Sequence, residues 1–238
     1  MNKKFLTSIS VLSAMVMLMM ACEKDFKNET PAPKPTPPVI SFVEEFDTVA
    51  NLAAKGWVIQ NNTYPTGPSS WRQGMYELGG KLGSDVVGFP AYSAHYTPND
   101  FVSVDMNAAN GAATTSAWLI GPMRPMKNGD QIIFYTRSHG DYIDRMQVRA
   151  NLTNGSANVG TGAEDVGDFT TQLLEINAAM SATGYPIDWT KYTLTISGLP
   201  NNTSVNGRFA FRYYVPDSGP SGTNADMIGV DSVAFISK

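Results

Sequence analysis

Between residues 41 and 238 no apolar pattern of period 3.6 persists beyond two or three turns. Short runs rich in Val, Ile, Thr and aromatic residues recur instead, bounded by Gly, Pro, Asn and Asp. The clearest span 117–121, 131–137, 145–152, 191–197, 208–215 and 228–236. In Arg208-Phe209-Ala210-Phe211-Arg212-Tyr213 apolar and basic residues alternate, which gives a strand one core face and one outward face. Gly198-Leu199-Pro200-Asn201-Asn202 and 216–222 are loops by turn chemistry. A short helix is expected over 48–55, capped by Asp47 and stopped by Gly56, and 170–180 reads equally as strand or helix. Strands without alternating helices exclude an α/β fold and predict an all-β antiparallel sandwich with one or two short helices. A hydrophobic share of 42%, with aromatic residues 11% of the chain, is ample for a core, so 41–238 reads as one domain.

The first forty residues have another character. Lys3-Lys4 precedes an apolar stretch, Phe5 to Met20, which is shorter than the roughly 20 residues of a membrane span and suits a signal-peptide core. It ends at Met19-Met20-Ala21-Cys22, which resembles the bacterial lipobox, with Met19 where Leu is commoner. The resemblance implies a signal peptide over 1–21 and a diacylated Cys22, the chain's one cysteine, anchored in outer-membrane lipid. Two or three acyl chains, at about 0.8 kcal/mol per buried CH₂, exceed the marginal one-chain regime. Pro31, Pro33, Pro35, Pro37 and Pro38 then favour extended polyproline II, so 22–40 reads as a stalk. The reading leaves open whether the domain faces the cell surface or the periplasm.

The formal charge is −4, and −6 once Lys3 and Lys4 are removed with the leader. A chain of that sign lacks the basic footprint of a nucleic-acid binder. One Cys and two His exclude a disulfide framework and a Cys/His zinc cluster. Ser138, His139 and Asp141 lie within one short loop, whereas triad members come from separate elements. His95 reads as a surface residue. No G-x-S-x-G, H-E-x-x-H or phosphate-loop motif occurs. Trp57, Trp118, Phe134, Phe209 and Phe211 sit in apolar runs and are expected in the core, Trp118 and Phe211 on facing sheets. Tyr76, Tyr92, Tyr96, Tyr142 and Tyr185 lie among Gly, Pro, Asn and Asp and are expected on loops. Such tyrosines beside amides and carboxylates suit a sugar: a flat apolar face for the ring, polar groups for its hydroxyls. Tyr92, Tyr96 and Tyr142, with Asn224 and Asp226, are therefore the candidate ligand-binding residues. Arg137, Arg145 and Arg212 read as members of an arginine–carboxylate network with Asp226.

Ser116-Ala117-Trp118-Leu119-Ile120-Gly121-Pro122 resembles the tryptophan-centred motif of the choice-of-anchor J family. Ile133–Arg137, Asp144–Arg149, Gly167–Thr171, Tyr185-Pro186 and Trp189–Leu194 follow in that family's order. Gly207–Tyr213, Gly219–Gly222 and Ile228–Asp231 complete the match, which runs collinearly over about 42–236. Gly121 and Met227 depart from it, where Thr or Ser and an aromatic are usual. The resemblance implies a jelly-roll β-sandwich of galactose-binding or concanavalin-like type, related to cleaved-adhesin and MAM-type domains. It implies extracellular adhesion or capture of a glycan or surface protein, without catalysis. The alternatives are a carbohydrate-active hydrolase and a purely structural surface component. It also implies a structural cation where the first and last strands meet. Glu45, Asp47 and Asp231 are the candidate ligands, and their hard oxygens suit Ca²⁺. Alternation puts 45 and 47 on one face and Glu44 on the other; otherwise Asp47 serves as the helix cap, and Asp231 pairs with an Arg or a backbone amide.

Overall fold

The computed structural model describes residues 39–76, 81–82, 86–140 and 142–238. The leader, Cys22 and most of the stalk lie outside them. The described residues form fourteen strands: β1 (Val39–Glu44), β2 (Val58–Asn61), β3 (Arg72–Gln73), β4 (Lys81–Leu82), β5 (Val86–Val87), β6 (Val102–Asp105) and β7 (Ala113–Ile120). There follow β8 (Arg124–Lys127), β9 (Gln131–Ser138), β10 (Met146–Asn151), β11 (Thr171–Ile176), β12 (Thr190–Thr195), β13 (Ser204–Ser218) and β14 (Met227–Ser237). Among the described residues all strand pairing is antiparallel.

The first sheet runs β12-β9-β14-β6-β3, with β1 pairing the second half of β14. The second runs β11-β10-β13-β7-β2, with β8 pairing the start of β13. The two longest strands, β13 and β14, are thus the spines of their sheets. Alternation explains why: on β13 Phe209, Phe211, Tyr213 and Val215 face inward, and on β14 Ile228, Val230, Val233 and Phe235 do so. The β14 alternation survives an irregularity between Asp231 and Ala234, where Ser232 takes a left-handed φ of 49°. This is an all-β jelly-roll-type sandwich. Among the described residues helix is limited to the 3-10 turns Val49–Asn51, Ala53–Lys55 and Met106–Ala108, and none is long and apolar enough to cross a membrane.

Between the sheets Trp57, Phe134, Phe209 and Phe211 join the central core; Phe134 and Phe211 meet edge to face across it at 5.0 Å. Trp118 corrects an expectation. It is fully buried, but β7 pairs with β13 in the second sheet, so Trp118 and Phe211 sit on one sheet and on opposite faces. Trp118 packs with Ile120, Ala210, Val159 and Phe169 under the loop that precedes β11. Tyr185 is a second correction: its ring is buried, and its hydroxyl lies 2.8 Å from Thr136 Oγ1. The 48–55 helix is two 3-10 turns stopped by Gly56 at φ 85°, and Thr48 rather than Asp47 occupies the cap position, without a side-chain bond. The ambiguous 170–180 stretch contains strand β11.

Candidate functional site

Residues 88–101 cross the outer face of the first sheet as a strap. Phe89 and Phe101 stack at 5.3 Å, and each packs edge-on against Trp189, with Met227 of β14 in the same cluster. This packing requires Gly229: a Cβ there would lie 2.7 Å from Phe89 and 2.9 Å from Trp189. Trp189 Nε1 donates to the Pro90 carbonyl at 2.9 Å. Buried Asp100 accepts the amides of Tyr96 and Thr97 at 2.6 and 2.9 Å. Asp231, on the outer face by alternation with inward Val230, accepts the amides of Ser93 at 3.0 Å and Ser232 at 2.7 Å. Burial pushes its carboxyl up to about 7 against the pull of those amides, helped by the charge of Glu45.

Thus held, the strap lays Tyr92 flat on Tyr135, which projects outward from β9. The rings are 3.6 Å apart and 15° from parallel. The neighbouring Tyr135 hydroxyl is the main reason the Tyr92 pKa is raised, with desolvation next. Tyr92 keeps 46% of its surface exposed, and the Trp189 ring lies 6.5 Å away. On the flanking strand β12, Lys191 is the cross-strand partner of Tyr135, and exposed Ile187 and Asp188 lie just before the strand begins. The result is a flat aromatic platform, two rings deep, with the Lys191 ammonium beside it. Such a surface suits stacking against a flat ring.

The other candidates scatter. Tyr96 shares the strap, 82% exposed, edge-on to His95. Tyr142 is exposed in the β9–β10 connection. Asn224 turns inward to bond the carbonyls of Pro216 and Asp217. Asp226 is buried, with Oδ2 at 3.4 Å from His139 Nδ1. Arg145 reaches Glu175 at 3.8 Å and stacks on Tyr214. Arg212, its pKa lowered to about 10 by burial, bonds Ser116, Gln147 and the Ala163 carbonyl and so ties the long loop to the second sheet. Arg137 stacks on Phe89 and donates to the Ser138 carbonyl. Asp141 lies outside the described residues. Tyr135, Trp189 and Lys191 were missing from the candidates. Their signal was parity: Tyr135 alternates with Phe134 and Thr136, and Lys191 is its register partner.

Where the first and last strands meet, Glu44 points away and pairs with Lys55 at 2.8 Å. Residues 45 and 47 do not alternate as strand residues, because β1 ends at Glu44 and Phe46 is left-handed at φ 56°. Glu45 Oε1 accepts from Ser232 Oγ at 3.2 Å, while its Oε2 is buried without a hydrogen-bond donor. Asp47 Oδ1 is likewise buried outside hydrogen-bonding geometry, 3.3 Å from His95 Nδ1. Among the described residues no three Asp, Glu, His or Cys side chains converge as a ready-made metal centre.

A scan against family models finds no match, and a search of curated proteins finds none. Solved structures do match. The K3 cleaved adhesin domain of Lys-gingipain from Porphyromonas gingivalis is similar at 17% identity and TM-score 0.49, covering 84% of this chain and all of that one. The K1 domain of the same protein is similar at 19% and 0.48, over 83% of this chain and 98% of that one. A xylan-binding domain from Paenibacillus barcinonensis is similar at 10% and 0.42, over 84% and 94%. These likenesses concern fold and carry no argument about ligand.

Proposed function

We propose that the chain is a non-catalytic binding module of the cell surface that captures glycan on the Tyr92–Tyr135 platform. The observation that carries this reading is the exposed Tyr92 ring, held rigid on Tyr135 by a strap with at least four fixed points. A mobile exposed tyrosine loses rotamer entropy on contact, whereas this one is already ordered. Its flat apolar face suits the C–H face of a sugar ring, and the Tyr92 and Tyr135 hydroxyls, Lys191 and Asp188 suit its hydroxyls. The sequence resemblance to the choice-of-anchor J family supports the same reading, as does the lipobox-like segment ending at Cys22. We place the domain outside the outer membrane or facing the periplasm, on a lipid-anchored proline stalk. Affinity electrophoresis through a panel of polysaccharides tests it: at least one retards the wild type, and Tyr92→Ala loses about tenfold in affinity, or about 1.4 kcal/mol. Equal retardation of both proteins by every retarding polymer overturns the placement of the site. Mass spectrometry of the mature N-terminus tests the anchor: Cys22→Ala is expected to remain unacylated and uncleaved, and an unmodified Cys22 thiol in the wild type refutes it.

The junction of the first and last strands supports a second proposal, a structural Ca²⁺ held by Glu45, Asp47 and Asp231. Buried oxygens of Glu45 and Asp47 without hydrogen-bond donors, and an Asp231 carboxyl raised by burial and in part by the Glu45 charge, support it, since a cation would relieve each of them. Main-chain carbonyls and water would complete its shell. Bound there, the ion would steady the strand ends and the strap root at Asp231.

A further inference from the structure

We infer that the sugar taken by the platform is an acidic one, a hexuronate residue within a polysaccharide, and that Lys191 selects its carboxylate. The inference rests on the platform reading and names its ligand class. Lys191 lies directly across the β9–β12 ladder from Tyr135, so both side chains leave the same face of the sheet. It is exposed, and among the described residues no carboxylate lies within ion-pair distance of its ammonium. Its charge is felt at the Tyr92 hydroxyl, where it opposes the upward shift of that group. A carboxylate on a ring stacked over Tyr92 would therefore meet this cation at the platform edge.

The neighbouring charges leave that cation in control. Arg137 also lies on the outer face, in the next row of the ladder, and its guanidinium covers Phe89. Asp188 is close enough to Arg137 to influence its charge. Asp231 is buried beneath the strap and turned toward the amides of Ser93 and Ser232. On a chain whose overall charge is −4, a lysine without an ion-pair partner among the described residues stands beside the stacked Tyr92–Tyr135 pair, across Tyr135 from Asp231, whose charge is also felt at the Tyr92 hydroxyl. A neutral glycan would leave the ammonium to water; an acidic one engages it.

The test pairs each of several polyuronates (polygalacturonate, alginate and a glucuronan) with its carboxyl-reduced neutral counterpart, titrated calorimetrically into wild type, Lys191→Gln and Tyr92→Ala. The wild type is expected to prefer at least one polyuronate over its reduced form by roughly two- to fivefold, the range of an exposed ion pair. Lys191→Gln is expected to abolish that preference while still binding the reduced polymer, and Tyr92→Ala to weaken both. Raising ionic strength from about 0.02 M to about 0.5 M shortens the screening length several-fold and should erase the preference in the wild type. Equal affinity for each pair, a preference that survives Lys191→Gln, or binding to neutral polymers only overturns the acidic-sugar inference and leaves the platform intact. Binding that survives Tyr92→Ala overturns the platform itself, and binding to none of the polymers overturns the ligand class.

Discussion

Asp144→Asn isolates a charge that the fold holds out of water. Asp144 is wholly buried; its Oδ1 accepts the Tyr213 hydroxyl at 2.5 Å and the Asp226 amide at 3.1 Å, and its Oδ2 has no donor among the described residues. Burial is the largest influence and the Asp226 charge adds to it, while the two hydrogen bonds oppose them; together they push the carboxyl up to about 7. The unfolded value is about 3.9. The folded protein therefore keeps a proton that the unfolded chain has released between about pH 4 and pH 7. The stability this group contributes is complete below about pH 4 and is lost as pH rises through about 7. With those two values, linkage gives a loss of about 2 to 3 kcal/mol between about pH 5 and pH 8. Asparagine keeps the shape and the acceptor for Tyr213 but cannot titrate. Urea unfolding in chelator at the two pH values measures the effect: the wild type should lose about 2 to 3 kcal/mol more than the variant over that interval. Parallel losses in the two proteins would refute a buried, raised Asp144.

Three further outcomes follow from the packing and from the strand junction. Trp118→Ala should cost about 3–5 kcal/mol and open the loop before β11 to protease, because the ring is that loop's floor; an unchanged urea midpoint contradicts its burial. Gly229→Ala should cost about 1–3 kcal/mol and alter tryptophan fluorescence, since the new methyl collides with Phe89 and Trp189; wild-type stability and emission would refute the strap packing. Excess Ca²⁺ should raise the melting temperature over excess chelator, and Glu45→Gln should shrink the difference; identical melts without metal by elemental analysis dismiss the ion.

The strands with strict alternation were legible because period-2 patterning survives in any sheet: 131–137, 208–215 and 228–236 fall inside β9, β13 and β14. Strand β8, Arg124-Pro125-Met126-Lys127, was not, since two cations and a proline read as loop and only the edge of β13 makes it a strand. Trp118 and Phe211 were rightly placed in the interior but wrongly on facing sheets. Each strand carries its own inward parity, while the pairing of β7 with β13 is a long-range fact that neither encodes. Tyr185 misled because its Gly and Pro neighbours advertise a loop, and the loop folds its ring inward to reach Thr136. At the platform Tyr92 was legible as a loop aromatic. Its support was not: Tyr135 comes from a strand, and the strap that joins them has almost no regular structure to announce it. The Asp226–His139 contact and the Asp144 environment likewise arise only where distant segments converge.

The account stands most directly on where a sugar binds. A crystal structure of the domain soaked with an oligosaccharide from a polymer that retards it settles this in one measurement. The predicted result is a sugar ring stacked on the exposed face of Tyr92, with its polar groups toward Lys191 and Asp188. A ligand seated instead on the second sheet, or on the loops around Asn224 and Tyr142, would contradict the account.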